Sequence, residues 1–385
     1  MAENFREVCA RAVAAKGGFR DPWVKEAFTA VDRAQFVPAR IWSQTAGPDG
    51  LYPLLDREQD PHEWHRAAWD PHRSAITQLD DHRHPEAPAR GDFTSSVSAP
   101  DTQCEMLCQL RLRPGHNVLE IGTGSGHFTA LLCERVGAGN VTSVEVDKTL
   151  ADQAARNLES AGYRPHLVHG DGTKGWQPGG PYDRIVATAA LRRVPAELTG
   201  QMTRRGGVLL APFGTCYANG GLLRLEARED GGASGRFTGT AHYMWVREQR
   251  PGRELNPSEG ARKASSPLHP GQVLGASWRQ DFTLGLRVPD VAVAHRGERE
   301  MRQAQLWDQT GTSVTLVNYS RWWEATSVTC YGPRDLWAEL VEAYTEWRSA
   351  GQPDVTRYGI TVEPAGEQYV WRDQDHGEDL SRAGA

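Results

Sequence analysis

Apolar positions along the chain follow three different rhythms. Val24, Ala27, Phe28 and Val31 recur at helical spacing, so residues 1 to about 45 read as helical until Pro38 ends the pattern. From Tyr52 to Asp92 the periodicity fades while Pro, His, Asp, Trp and Arg crowd in, the signature of a loop-rich insertion or lid rather than core. Residues 103–112 form a helix candidate stopped by Pro114-Gly115. Alternation then begins. Strand-sized apolar runs at 117–121, 141–146, 166–169, 184–188 and 208–212 are separated by helical stretches, of which 128–136 and 150–161 are the clearest. Strands alternating with helices predict βαβ units and a mostly parallel, doubly wound α/β sheet of Rossmann-like type.

Beyond Phe213 the rhythm turns antiparallel, with runs at 221–228 and 236–246 joined by Gly-rich turn chemistry. The expected division is a first domain over 1–246 carrying the insertion at 52–92, a linker over 247–272 rich in Pro, Gly, Ser and charge, and a smaller C-terminal α+β domain over 273–385. That last part holds strands at 312–319 and 358–362 and a helix at 333–349; the final dozen residues are polar and expected to fray. No internal repeat is seen.

Composition narrows the function. With 385 residues, 39% hydrophobic and 24% charged, the chain has the make-up of a soluble globular protein, and a net charge of -6 gives no footprint for nucleic acid or an anionic membrane. No apolar run approaches a membrane span and no signal-type segment opens the chain, so a cytoplasmic location is expected; the oligomeric state stays open. The six cysteines form no C-x-x-C pair, and Cys104 and Cys108, one helical turn apart, read as two small buried residues. Asp60-Pro-His62 recurs as Asp70-Pro-His72 with His65, His82 and His84 nearby, but the spacings match no common ligand pattern, so no metal is expected.

The chemistry gathers at Glu120-Ile-Gly-Thr-Gly-Ser-Gly126, a strand running into a glycine turn and then a helix. Gly122, Gly124 and Gly126 let the backbone turn sharply and approach a ligand. A dinucleotide fold wants its third glycine at position 127, where His127 stands. The observed G-x-G-x-G, with an acid two residues before it, suits S-adenosylmethionine: Glu120 can face its ammonium, and Thr123 and Ser125 fall within the same turn. Glu145 and Val146 end the next strand at the interval expected of a ribose-binding carboxylate. Asp171 and Gly172 follow the strand after that, where Asp171 can accept from the adenine amino group. S-adenosylhomocysteine would be the product.

Further motifs bear on the acceptor. No Asn/Asp-Pro-Pro-aromatic tetrad is present, against methylation of an exocyclic base amine. The chain resembles the protein-L-isoaspartate O-methyltransferases over about residues 20 to 245. The resemblance rests on Val31-Asp-Arg-Ala-Gln-Phe-Val-Pro38, Ser96-Val-Ser-Ala-Pro100, the glycine turn, Gly170-Asp-Gly172, Pro181-Tyr-Asp-Arg-Ile185, Val194-Pro195 and the stretch 206–214. It implies a class I methyltransferase fold and makes Ser96 and Ser98 the catalytic hydroxyls, Ser98 also touching the cofactor, with Thr94 and Ser95 as auxiliaries. A helix N-cap is the competing role for such hydroxyls, and for Asp101 capping is the expectation. A carboxylate of ordinary pKa near 4 is already ionised, so it can attack a methyl group without a base, and positioning suffices.

Three departures shift the substrate. Asp101-Thr-Gln103 stands where common members carry a histidine, the 52–92 stretch replaces a short acceptor segment, and a long C-terminal part follows. These features resemble the extended bacterial relatives associated with ribosomally synthesised, modified peptides of graspetide, lanthipeptide or lasso type. The resemblance implies methylation of an L-aspartate in a modified, cyclised precursor peptide, whose ester then closes to an aspartimide. Arg192 and Arg193 could grip acidic side chains of that peptide, or be solvated surface arginines. Repair of isoaspartate in damaged protein is the alternative; a non-catalytic cofactor-binding or peptide-recognition module is a third, from another class. The insertion and the C-terminal domain would help to hold a peptide, while Trp322 and Trp323 can be core residues.

Overall fold

The computed structural model describes residues 4–252 and 261–374, so the expected fraying of the final dozen residues falls, but for one position, outside the described residues. The chain forms two compact units. The first comprises 1–189, 195–211 and 226–231; the second comprises 190–194, 212–225 and 232–385.

The first unit opens with two helices rather than one helical stretch to position 45. α1 (Phe5–Ala15) takes its N-cap from the Asn4 side chain, and α2 (Pro22–Ala30) begins with proline at its first turn. α2 stops at Ala30, a single 3-10 turn follows at Arg33–Gln35, and beyond Pro38 the chain extends into β1 (Arg40–Trp42).

The expected loop-rich insertion is largely a folded layer. β2 (Leu54–Asp56), α3 (Pro61–Ala68) and β3 (Ala75–Leu79) arise here, β4 (Phe93–Val97) follows directly, and the strands pair antiparallel in the order β2-β1-β3-β4. Trp42, Trp64, Ile76 and Leu79 are buried to within 2% of complete, which makes a core of its own. The indole N–H groups are satisfied too: Trp64 donates to the Pro38 carbonyl and Trp42 to that of Ala87. Periodicity was a poor guide because the strands are short and large aromatics supply the burial.

α4 (Pro100–Leu110) leads to β5 (Val118–Ile121), then α5 (His127–Val136), β6 (Val141–Glu145), α6 (Lys148–Ser160), β7 (His166–His169), β8 (Arg184–Ala187), α7 (Ala196–Gly200) and β9 (Val208–Gly214). The strands pair parallel in the order β7-β6-β5-β8-β9, with Val118 opposite both Val141 and Arg184. β5, β6 and β8 are buried along their whole length, as expected of strands covered on both faces. The predicted doubly wound α/β sheet is present.

In the second unit β10 (Asn219–Ala227), β11 (Ala233–Thr240), β17 (Tyr358–Val362) and β18 (Gln368–Arg372) stand in the order β18-β17-β11-β10. The run predicted at 236–246 thus starts earlier and ends at Thr240. A five-stranded antiparallel sheet has the order β12-β16-β15-β14-β13. It is built from β12 (Arg262–Ala264), β13 (Val291–Arg296), β14 (Gln303–Asp308), β15 (Val314–Asn318) and β16 (Val328–Tyr331). Helices α8 (Pro270–Val273), α9 (Trp278–Arg287) and α10 (Leu336–Ser349) complete the unit, with Leu284, Leu306, Val317, Leu340 and Trp347 in one apolar core. Tyr217 lies in that core, so residues 212–225 pack with the later chain although the sequence reading grouped them with the first domain. The described part of 247–272 includes β12, paired with β16, and α8. Trp323 is not core: it is 63% exposed.

Candidate active site

β5 delivers the chain into the turn at Gly122–Gly126, and the three glycines take φ values of +94°, +55° and +87°, a region that favours residues without a Cβ. Space divides them. A Cβ at Gly124 would meet only the Ser96 carbonyl oxygen, at 3.8 Å, whereas one at Gly126 would strike Leu158 at 2.9 Å. The turn is therefore open above Gly124 and packed on either side. Gly126 is the N-cap residue of α5.

Glu145 ends β6 and holds this turn. Its Oε2 accepts the Gly124 N–H at 2.9 Å and its Oε1 the Asp147 N–H at 3.0 Å. Burial pushes its carboxyl above the ordinary range, against those two N–H donors. Val146, the next residue, is 37% exposed, an apolar surface beside the carboxylate. Asp171 follows β7; its Oδ1 accepts from the Thr173 N–H and hydroxyl, while its Oδ2 has Lys174 at 3.9 Å.

Glu120 departs from expectation. Its carboxyl is fully enclosed; Oε2 accepts from the Thr129 and Ser143 hydroxyls at 2.5 and 2.8 Å, and Oε1 has no partner. Burial raises its pKa to about 8. It braces β5 against α5 and β6 from beneath the turn rather than facing a ligand above it. Thr123 also turns inward, its hydroxyl 2.6 Å from that of Ser143, and Ser125 contributes a carbonyl that accepts from Asn157.

Beside the glycine turn runs β4. Alternation along a strand places Ser95 and Val97 on its buried side and Thr94, Ser96 and Ser98 on the half-exposed side. Ser95 is tied to Thr77 by a buried hydroxyl bond of 3.0 Å, so it is no acceptor-side auxiliary. Neither Ser98 nor Asp101 caps α4: Ala99 occupies the N-cap position without a side-chain bond. Asp101 instead accepts from Lys16 at 3.0 Å and meets His72 Nδ1 at 2.8 Å, with the Pro71 carbonyl bound to its backbone N–H.

Two residues missed by the sequence reading organise this strand. Arg33, from the Val31–Pro38 motif, is 1% exposed and donates to the Ala68 and Val97 carbonyls and to Gln103 Oε1. It fixes the backbone between Ser96 and Ser98. His127 Nδ1 is 2.9 Å from the same Gln103 oxygen, and burial depresses its pKa well below the usual imidazole value. Gln78 on β3 is the second. Its Nε2 donates to Asp147 Oδ2 at 3.2 Å and its Oε1 accepts from Thr94, whose hydroxyl takes the Asp81 N–H. Hydrogen bonds thus run unbroken from Thr94 through Gln78, Asp147 and Glu145 to Gly124. Arg33 lay within the quoted Val31–Pro38 motif, and Gln78 showed only as a polar residue between Ile76 and Leu79.

Arg192 is half-buried and Arg193 exposed, and both are tied to neighbouring backbone. Arg192 donates to the Gln249 carbonyl at 2.5 Å and to Cys216 Sγ at 2.7 Å, and Arg193 donates to the Gly366 carbonyl, all within the second unit. The insertion's histidines are dispersed: His62 packs on Phe5, His65 on Trp64, and His82 binds the Asp80 carbonyl. Among the described residues no three His, Cys, Asp or Glu side chains gather to hold a metal.

The open cradle at Gly124, a carboxylate closing β6 and an apolar step at Val146 lie at the carboxyl ends of parallel strands, where such sheets bind ligands. They fit an amino-acid tail over the glycines and a ribose against Glu145. This is a class I S-adenosylmethionine-dependent methyltransferase. The profile of the protein-L-isoaspartate(D-aspartate) O-methyltransferase family matches residues 74–250. The protein-L-isoaspartate O-methyltransferase of Pyrococcus horikoshii is 42% identical over 149 residues, 38% of this chain and 67% of that one. That of Methanopyrus kandleri is 38% identical over 163 residues, 42% of this chain and 71% of the relative. Other relatives are matched over less of their length, 59% for the Pyrobaculum islandicum enzyme. A solved protein-L-isoaspartate O-methyltransferase shares the fold, with a TM-score of 0.53 and 17% identity over 96% of this chain and all of its own. The chain belongs to the protein-L-isoaspartate O-methyltransferase family and is a carboxyl O-methyltransferase using S-adenosylmethionine.

Proposed function

We propose that this enzyme methylates the side-chain carboxylate of an L-aspartate in a ribosomally made peptide that has already been modified, most simply by cyclisation, and that the ester then closes to an aspartimide. The observation carrying this reading is the folded antiparallel layer β2-β1-β3-β4, which ends in the serine strand beside the glycine turn. Residues 261–374 lie beyond the 74–250 family match, but a solved protein-L-isoaspartate O-methyltransferase aligns over 96% of the chain, so the second unit does not separate the readings. Isoaspartate repair is the second reading, favoured by the names of the relatives. A cytoplasmic site of action and a peptide partner go with the first. Among the described residues no helix is long and apolar enough to cross a membrane.

S-adenosylmethionine supplies an electrophilic methyl on its sulfonium. Gly124 would leave room for its amino-acid tail, Glu145 would accept from the ribose hydroxyls, and Asp171 would offer an oxygen to the adenine edge. Ser96 and Ser98 would donate hydrogen bonds that orient the acceptor carboxylate. An ionised carboxylate needs no base. After transfer, the backbone nitrogen following the aspartate attacks the ester, loses its proton and expels methanol.

Mass spectrometry of the modified precursor separates the readings. A gain of one methylene followed by net loss of one water, on a single aspartate, supports the proposal. Transfer to generic isoaspartyl peptides with none to the precursor would move the assignment to repair. Ser98→Ala should lower kcat by on the order of 10²-fold while S-adenosylhomocysteine still binds.

A further inference from the structure

The second unit carries an open cavity of about 410 Å³ lined by Arg287 on α9, Glu346 and Trp347 on α10, Tyr358 on β17 and Arg372 on β18. Its volume suits one or two side chains of a peptide. Charge is unevenly committed around it. Arg287 donates an Nη2 hydrogen bond to Glu346, and its buried Nε has no acceptor. Arg372 stands 3.8 Å from an oxygen of Asp373, but that carboxylate already takes two 2.6 Å bonds from Arg357. Two guanidiniums and one carboxylate therefore line the cavity, and Arg372 hydrogen-bonds the Tyr358 hydroxyl, a neutral partner that leaves its charge uncompensated there. Trp347 and Tyr358 supply aromatic walls, buried to within 6% of complete, which lower the local dielectric and strengthen an ionic contact.

We infer that this cavity is a carboxylate-binding site that holds an acidic side chain of the peptide substrate. The inference rests on the reading of the enzyme as a peptide methyltransferase, and it adds an anchor that takes no part in methyl transfer. Arg372 pairs with the incoming carboxylate through its planar fork. Arg287 contributes the second positive charge, partly cancelled by Glu346. Glu346 acts as an internal competitor for the ligand.

Calorimetry with the full chain tests this, using a short aspartate-rich peptide and its asparagine counterpart as probes. The aspartate peptide should bind about tenfold or more tightly than the asparagine one, with an affinity that falls as salt rises. Arg372→Gln should weaken it by about tenfold, and Glu346→Gln should strengthen it several-fold, while both leave S-adenosylhomocysteine binding unchanged. In turnover with the precursor, both variants should move KM in those directions and spare kcat. Equal binding of the two peptides, binding of neither, or indifference to both substitutions overturns the site. Methyl transfer with charge-independent affinity would sink the anchor and leave the function standing. Charge-dependent binding without transfer to any carboxylate would do the reverse.

Discussion

A single added methyl group should read out the two kinds of glycine in the cofactor site. Gly124 has φ +55° and open space, so Gly124→Ala should cost only about 1 kcal/mol of stability from the left-handed backbone. If the cofactor's tail lies over Gly124 as proposed, the added methyl group would displace it, and the Kd for S-adenosylhomocysteine should rise by roughly tenfold or more. At Gly172 a Cβ would meet Ile121 at 2.5 Å, so Gly172→Ala should instead lower Tm through overpacking of about 1–3 kcal/mol. Calorimetry and thermal melts on the pair check this contrast. Glu120 gives a pH signature. Its folded pKa of about 8 lies above the unfolded value, so the folded state keeps a proton that the unfolded chain releases. Its contribution to stability is full below the carboxylate's ordinary pKa of roughly 4 and is lost as pH rises toward 8, at up to about 1.4 kcal/mol per pH unit. Glu120→Gln cannot titrate, so its stability relative to the parent should improve steadily from pH 5 to 8 in denaturant melts. A constant difference across that range would contradict the buried, protonated state.

At the scale of elements, the insertion and the cofactor turn are coupled by side chains that neither element could place alone. Gln78 must leave a buried β3 position to reach Asp147, and Arg33 must cross from the first segment to the carbonyls of α3 and β4. Gln78→Met keeps the volume but removes two hydrogen bonds, each worth about 1 kcal/mol. Raised Kd for S-adenosylhomocysteine and raised KM for the acceptor, moving together by several-fold, are the expected outcome. A change in only one would mean the chain of hydrogen bonds does not couple the two sides. Arg33→Met leaves buried carbonyls unpaired and should cost about 3–5 kcal/mol, visible as a lost Tm before any effect on chemistry.

For the whole molecule, the two units are not successive beads. Tyr217 lies in the core with Leu284 and Trp337, and Phe237 meets Phe282 at 5.1 Å, all within the second unit. A chain shortened to residues 1–250 would expose these aromatics, each worth about 1.5–3 kcal/mol of burial. Such a chain should aggregate or bind a hydrophobic dye, although it contains the entire family match. A soluble, cooperatively melting 1–250 fragment would show that the boundary lies near 246 after all.

Local patterns sufficed for the parallel sheet and the turn it presents. The runs at β5 to β9, the glycines after β5 and the acids after β6 and β7 were readable because backbone geometry and short-range spacing dictate them. The direction in which an acid points was not readable: Glu120 and Glu145 each close or border a strand, yet one is sealed beneath the turn and the other grips it. The aromatic core of the insertion, the placing of Arg33 and Gln78 and the cavity at Arg372 likewise waited on the fold. Each depends on contacts between residues far apart in the chain, and those contacts are chosen by packing and by the need to pair buried polar groups, neither of which leaves a periodic mark in the sequence.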